Sequence, residues 1–393
     1  MIRPAWEVAD VLRLCSDQIL RNRKLPQSVK RVVLDIIKCR TAALGGHKIG
    51  CFKCGYSEIS YNSCRNRHCP KCQYSKREQW VLNREADLLP VKYFHLVFTL
   101  PHELNRCVMA NPEVAYNILF TAAWKTINNL SNDPRWIGAK AGMISVLHTW
   151  GQNLSFHPHV HCLVPNGAWE THLRKWVYPK NKRFLFPVRV MSKMYRGIFL
   201  SLLTKAYQED RLKWSADSWK QLHSQIRNAG FLVFAKIPFA GPQQVLHYLG
   251  RYSHRVAIAN HRILKVNSQS VAFRYKDYRD GKIKVLTLTP DQFARRFLMH
   301  ILPKGFAKFR YYGIYANRGK NKRITEILQF FERRRKLPRV FSPVQSLKVL
   351  DIHLDRCPRC KSGKMVPLFL IAPIRGDPFP NSSFTPANLY AHC

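Results

Sequence analysis

Two Cys-x-x-C pairs, Cys51-Phe-Lys-Cys54 and Cys69-Pro-Lys-Cys72, stand fourteen residues apart, and no other stretch restricts the fold of this chain so tightly. Each pair lets one tight turn present two sulfurs, and the separation is close to that of four-thiolate zinc modules. Lys53 and Lys71 supply N–H groups and positive charge for the thiolates. A shell of four sulfurs has no open coordination position, so the expected Zn²⁺ at Cys51, Cys54, Cys69 and Cys72 is structural. Cys64 and His68, between the pairs, are spare donors for this site or a second one. Buried thiols without a ligand are the plain alternative, against which the pairing argues. A further pair, Cys357-Pro-Arg-Cys360, has no knuckle after it, and His392 and Cys393 are the residues that could complete it.

The metal reading depends on a reducing compartment. The N-terminus MIRPAWEVADVLRL carries Glu7 and Asp10 and lacks a continuous apolar stretch, so it does not read as a signal peptide, and the expected location is the cytoplasm, at the bacterial nucleoid. A formal net charge of +42, from 65 Lys and Arg against 23 Asp and Glu, would repel itself without a polyanionic partner. Nucleic acid fits that charge. A membrane does not, because no run of about 18 apolar residues occurs.

Hydrophobic spacing gives the organisation. Val8, Val11, Leu12, Cys15 and Ile19, then Val29 to Ile37, predict two helices, and SKREQWVLNREADLL predicts a third. YFHLVFTL (Tyr93 to Leu100), Ala141 to Trp150, Phe156 to Val164 and Phe231 to Phe239 read as strands, with a long helix over about 112 to 130. The alternation from His261 to Thr289 is broken at Asp280-Gly281, a hairpin signal. The expected class is α+β with an antiparallel sheet. Four regions follow: 1–90, helical and cysteine-rich; 91–300, the core; 301–340, a basic and aromatic DNA-contacting segment; 341–393, a Pro-rich tail.

Within the core, FHPHVHCLV places His157, His159 and His161 on one face of a strand, about 7 Å apart at successive Cα positions, close enough to converge on one cation. Pro158 suits an edge or the entry of the strand. Tyr248-Leu-Gly-Arg-Tyr252 puts two phenols at i and i+4 on one face of a predicted helix, with Arg251, His254 and Arg255 nearby. Lys304 to Arg323 holds seven basic and no acidic side chains among five aromatics; Lys304, Lys308, Arg310, Tyr311 and Tyr312 are candidate single-strand contacts. Arg65 and Arg67, on the loop between the knuckles, are candidate contacts on a rigid surface.

YFHLVFTLP, HPHVHCLVP and YLGRYSHRVAI occur in the order of the three motifs of rolling-circle HUH endonucleases. YNSCRNRHCPKC ahead of them resembles the zinc domain of two-tyrosine insertion-sequence transposases, and LPKGFAKFRYYG is similar to that family's C-terminal segment. The resemblance covers about residues 45 to 320. It implies an HUH core, a central antiparallel sheet flanked by helices, in which His159 and His161 bind Mg²⁺ or Mn²⁺ and His157 stands outside. It further implies a polar third ligand, for which Gln152 is the first candidate and His148 the second. Tyr248 and Tyr252 are then the nucleophiles that cut single-stranded DNA at element ends and target, leaving a 5′-phosphotyrosine. The chain lacks a helicase P-loop, so unwinding falls to a host helicase or to replication. A rolling-circle replication initiator would share the nicking chemistry, and a zinc-dependent DNA-binding regulator would make the histidines and tyrosines incidental.

Overall fold

A computed structural model describes residues 4–72, 74–181, 185–227, 229–236, 250, 257–332 and 356–374. The N-terminal helical pattern resolves into α1 (Val8–Leu14), α2 (Ser16–Arg21) and α3 (Gln27–Lys38), one more than the spacing predicts, because the backbone at Cys15 leaves helical geometry and breaks the first run. Strands β1 (Gly46–Cys51) and β2 (Ser57–Tyr61) form a hairpin around the first knuckle, and α4 (Tyr74–Glu85) leads into β3 (Tyr93–Thr99). Helices α5 (Asn105–Ala110) and α6 (Pro112–Asn132) follow, the latter starting on a proline whose missing N–H costs nothing in the first turn.

The long strands β4 (Gly142–Trp150) and β5 (Phe156–Pro165) come next, then the small hairpin β6 (Ala168–Glu170) and β7 (Lys175–Val177). Helices α7 (Val188–Gln208) and α8 (Ala216–Arg227) precede β8 (Val233–Lys236). The predicted hairpin appears as β10 (Val271–Lys276) and β11 (Ile283–Leu288), turning at Gly281 with φ +71°, and β9 (Ile263–Val266) flanks it. Helix α9 (Pro290–Leu298) starts on a Thr289–Gln292 capping box. Strand β12 (Phe309–Gly313), helix α10 (Lys320–Phe330) and strand β13 (Met365–Ile371) complete the described elements.

The central sheet has the order β12-β4-β5-β3-β8 and is antiparallel throughout, as the α+β reading expects. Strand alternation divides its two faces. Leu96, Phe98, Met143, Leu147, Val160 and Cys162 point to a core shared with α5, α6, α7 and α8. Tyr93, Ile144 and Leu163 point the other way, to a smaller core with α10 and the β6–β7 hairpin. On this second face, toward Thr99, the apolar side chains give way to histidines.

Packing does not follow the four regions expected from the sequence. The N-terminal helices share a core with Ile258, Phe273, Phe293 and Phe297, so residues 257–298 belong with residues 8–39. Of the segment 301–340, residues 309–313 form β12, an edge strand of the central sheet, and β13 from the tail pairs with β1. Strand β5 is central, not an edge; its Pro158 lies at the entry, where a register shift between His148 and Trp150 accommodates the missing donor.

Gly313 ends β12 at φ +60°, and a Cβ there would stand 1.8 Å from the Ala141 carbonyl oxygen. Gly313→Ala is therefore expected to destabilise the chain by about 1–3 kcal/mol, read as a lower denaturation midpoint. Among the described residues no helix is long and apolar enough to cross a membrane.

Candidate metal centres and nucleic-acid interface

The register of three strands builds the histidine cluster. His148 on β4 stands opposite His159 on β5, and Val146 opposite His161, so His148, His159 and His161 share one face. Their ligand nitrogens lie within 4.8 Å of one another. His159 Nδ1 sits 2.6 Å from the His157 carbonyl oxygen and donates to it, which leaves Nε2 to accept. His159 Nε2 and His161 Nε2 are 3.1 Å apart, the spacing of two cis nitrogens each about 2.1 Å from one cation.

His95 on β3 adds a contact that the sequence reading did not single out. Its Nε2 lies 2.8 Å from His161 Nδ1, and the two rings stack with centroids 5.1 Å apart. A proton on His161 Nδ1, donated to His95, leaves His161 Nε2 free to face the cluster. The signal was the position of His95 in YFHLVFTL: it shares the face of Val97, which pairs with His161. Burial is the first cause that holds all four rings neutral, with His159 down at about 3, His95 at about 4, and His148 and His161 well below the ordinary value. Neutral imidazole is the form that binds metal.

Gln152 does not take the place the resemblance gives it. It lies beyond the end of β4, its side-chain amide donates to Tyr278 Oη at 3.2 Å, and its carbonyl oxygen accepts from Arg262. His148 completes the cluster instead. His157 is exposed on the strand, and its carbonyl oxygen accepts from His159 Nδ1. Tyr248, Tyr252, Arg251 and Arg255 lie outside the described residues.

The cysteines group differently from their sequence order. Cys39, Cys64, Cys69 and Cys72 form one cluster; Cys51 and Cys54 meet Cys357 and Cys360 in another. The two knuckles of the first expectation therefore belong to two sites. The reason is local geometry: β1 and β2 carry the first knuckle to β13, while the second folds back against the end of α3, where Cys39 stands. Nothing in the spacing marks Cys39. In its cluster Cys39 Sγ is 3.2 Å and Cys64 Sγ 3.6 Å from Cys72 Sγ. Neighbouring thiols and the backbone N–H of Arg65 draw the Cys72 pKa down, while Cys64 and Cys69 are pushed up by their neighbours, so full ionisation needs a cation.

His68 is not a ligand in this arrangement. Its Nε2 accepts from the Leu302 N–H at 3.1 Å, and Arg67 donates to the Pro303 and Phe306 carbonyls at 2.8 and 2.6 Å. These contacts seat the zinc loop on the core and take Arg67 out of the expected DNA surface. Lys71 pairs with Glu7 at 2.7 Å rather than with a sulfur. Arg310 donates to Asn117 and stacks over Phe120, Tyr311 Oη accepts from Trp80, and Tyr312 stacks on Trp124; these are packing roles, because β12 is a sheet strand. Of the proposed contacts, Arg65 and Lys304 are exposed. Lys308 is half-buried over the Trp150 ring, and its charge acts on His148 and His161.

Burial, with the charges of Arg67 and Lys308, holds His68 down to about 3; burial holds His300 to about 4. In the unfolded chain both titrate near 6.5, so below that pH the unfolded state takes up protons that the folded state refuses. Stability is expected to fall between pH 6.5 and 5, by roughly 4 kcal/mol at most for the two together, measured by chemical denaturation at each pH. Stability unchanged over that range would show that these rings stay accessible to protons.

A family model described as a putative transposase matches residues 142–323, which include β4, β5 and β12, and one described as a transposase zinc-binding domain matches residues 11–100. A putative transposase of Sinorhizobium fredii is 40% identical over 396 residues, 96% of this chain and 98% of the relative. The chain belongs to this transposase family. The transposase for insertion sequence element IS801 of Pseudomonas savastanoi pv. phaseolicola is 27% identical over 313 residues, covering 77% of this transposase and 74% of the relative. A conjugative relaxase solved in complex with origin DNA, in a metal-bound structure, covers 58% of this chain and 94% of its own at 12% identity and a TM-score of 0.25, too distant a likeness to carry an argument. Membership in the family settles the choice between transposase, replication initiator and regulator. The zinc-binding domain model spans Cys39, Cys64, Cys69 and Cys72, whose sulfurs already converge, so that cluster is the fitting place for a structural Zn²⁺.

Proposed function

We propose that this transposase nicks and rejoins single-stranded DNA through a 5′-phosphotyrosine, moving an insertion sequence by a rolling-circle-like route. The convergence of His148, His159 and His161 on one sheet face carries the reading. A divalent cation held by these three would supply positive charge to the scissile phosphate, and an all-imidazole set favours a first-row ion such as Mn²⁺ over oxygen-seeking Mg²⁺.

The chain's own groups do the rest. The phenolic oxygen of Tyr248 or Tyr252 bonds to phosphorus, the bond from phosphorus to the 3′ oxygen breaks, and that oxygen leaves with a proton as a 3′-OH. Later attack by a 3′-OH on the phosphotyrosine restores a DNA strand without ATP, and two tyrosines allow two linked ends. The segment that carries them follows β8, whose last residue, Lys236, pairs with His95 on the histidine face. Lys308, its ammonium held down to about 7 by burial and by Arg67, stands ready to meet a phosphate beside the cluster. Lys304 and Arg65 extend the basic surface along the strand, and a host helicase supplies unwinding.

The test uses end-labelled single-stranded oligonucleotides from the element's termini, incubated with the protein and Mn²⁺ or Mg²⁺, then denatured. A covalent protein–DNA adduct is expected, lost in the Tyr248→Phe, Tyr252→Phe double variant. Absence of an adduct across all termini, or an undiminished one in the double variant, rules the mechanism out.

A further inference from the structure

The domain match that accounts for Cys39, Cys64, Cys69 and Cys72 ends at residue 100, and the transposase match ends at 323. Cys357 and Cys360 lie beyond both, yet their sulfurs meet those of Cys51 and Cys54. We propose that these four cysteines form a second structural zinc site, which fastens the C-terminal strand β13 to the N-terminal zinc-binding module.

The geometry is that of two matched knuckles. Cys54 Sγ is 3.5 Å from Cys357 Sγ and Cys51 Sγ 3.8 Å from Cys360 Sγ, pairs 303 and 309 residues apart. Four sulfurs about 2.3 Å from a tetrahedral Zn²⁺ stand about 3.8 Å from one another, whereas a disulfide requires about 2.05 Å. The two turns close alike. Gly55 N–H donates to the Cys51 carbonyl at 2.9 Å, and Lys361 N–H to the Cys357 carbonyl at 2.9 Å. Gly55 and Lys361, each just after the second cysteine, both adopt positive φ, +71° and +54°.

Other features fit an enclosed metal. Gly363 lies against the sulfurs: a Cβ there would stand 2.3 Å from Cys51 Sγ and 3.2 Å from Cys360 Sγ. Its N–H donates to Cys360 Sγ at 3.2 Å, the contact that stabilises a metal-bound thiolate. The strands that flank the knuckles pair with each other, with Cys51 opposite Met365 and Gly46 opposite Ile371. Strand β13 exposes Leu368, Phe369 and Leu370 and, among the described residues, has only β1 as a partner in its sheet, so it has little apolar burial to hold it and needs another tether. Loop-closure entropy grows only with the logarithm of length, so a tether across some 300 residues is not prohibitive.

The test is zinc content of the reduced, full-length protein by mass spectrometry, with parent and variants alike carrying His159→Ala and His161→Ala so that the imidazole cluster adds no zinc to the count. Two zinc ions per chain are expected in the parent and one in the Cys357→Ser, Cys360→Ser variant; Cys51→Ser, Cys54→Ser should lose the same ion, and Cys64→Ser, Cys72→Ser the other. Proteolysis within residues 365–371 should accelerate at least tenfold when the second ion is lost. Cys360→His, which keeps four N/S donors, should retain both ions and slow proteolysis. A parent that holds one zinc, a Cys357→Ser, Cys360→Ser variant that holds two, or thiol titration that shows disulfides among these four cysteines would overturn the proposal. The parent's metal count decides the matter even if a serine variant does not fold, and none of these readouts depends on DNA cleavage.

Discussion

His148→Ala is expected to remove DNA cleavage, while Gln152→Ala leaves the rate close to that of the parent. The contrast follows from the sheet. His148 stands opposite His159, and its ligand nitrogen lies with those of His159 and His161, whereas the Gln152 amide is engaged by Tyr278 in a turn. Losing a group that places charge on a developing oxyanion costs on the order of 10²–10³ in rate. Salt-sensitive binding of single-stranded DNA should survive in the His148 variant, because the charge of +42 is spread over the whole chain. The measurement is single-turnover adduct formation beside a binding titration. Equal loss in both variants would return Gln152 to the ligand set, and an active His148→Ala would remove His148 from it.

Cys39→Ser is expected to damage folding as severely as Cys69→Ser. The first cysteine sits outside any knuckle and the second inside one, yet both belong to the cluster with Cys64 and Cys72. Structural zinc supplies roughly 10–16 kcal/mol in small zinc modules, and loss of one of four thiolates forfeits much of it. The consequence should reach the core, since the loop carrying these sulfurs is pinned by His68 to Leu302 and by Arg67 to Pro303 and Phe306. A lower melting temperature, matched by chelation of the parent protein, is the expected reading. A Cys39→Ser protein with parental stability and zinc content would restore the two-knuckle grouping.

Much of the secondary structure is legible in the sequence. The strands at Tyr93, Gly142 and Phe156 and the hairpin at Gly281 follow from alternation and turn chemistry. The helix from Pro112 follows from apolar spacing and a proline start. The strand within the aromatic and basic run after Lys304 is not legible, since composition does not distinguish a DNA-facing surface from an edge strand. In the fold Tyr312 stacks on Trp124, and Arg310 covers Phe120. A guanidinium on a ring is as good a packing element as a nucleic-acid contact.

The sequence by itself determined a charge that calls for a polyanion and two local features: the turn of each knuckle and the face that carries His159 and His161. These depend on a few consecutive residues, where backbone geometry is set by spacing and side-chain type. Only the tertiary structure decided which donors share a cation. It set His148 beside His159 through the pairing of β4 with β5, brought His95 against His161 from a third strand, and divided two adjacent knuckles between Cys39 and the distant Cys357–Cys360 pair. A ligand set is a relation through space between residues up to 309 apart, and the folding of the chain between them, not their spacing along it, fixes the distance.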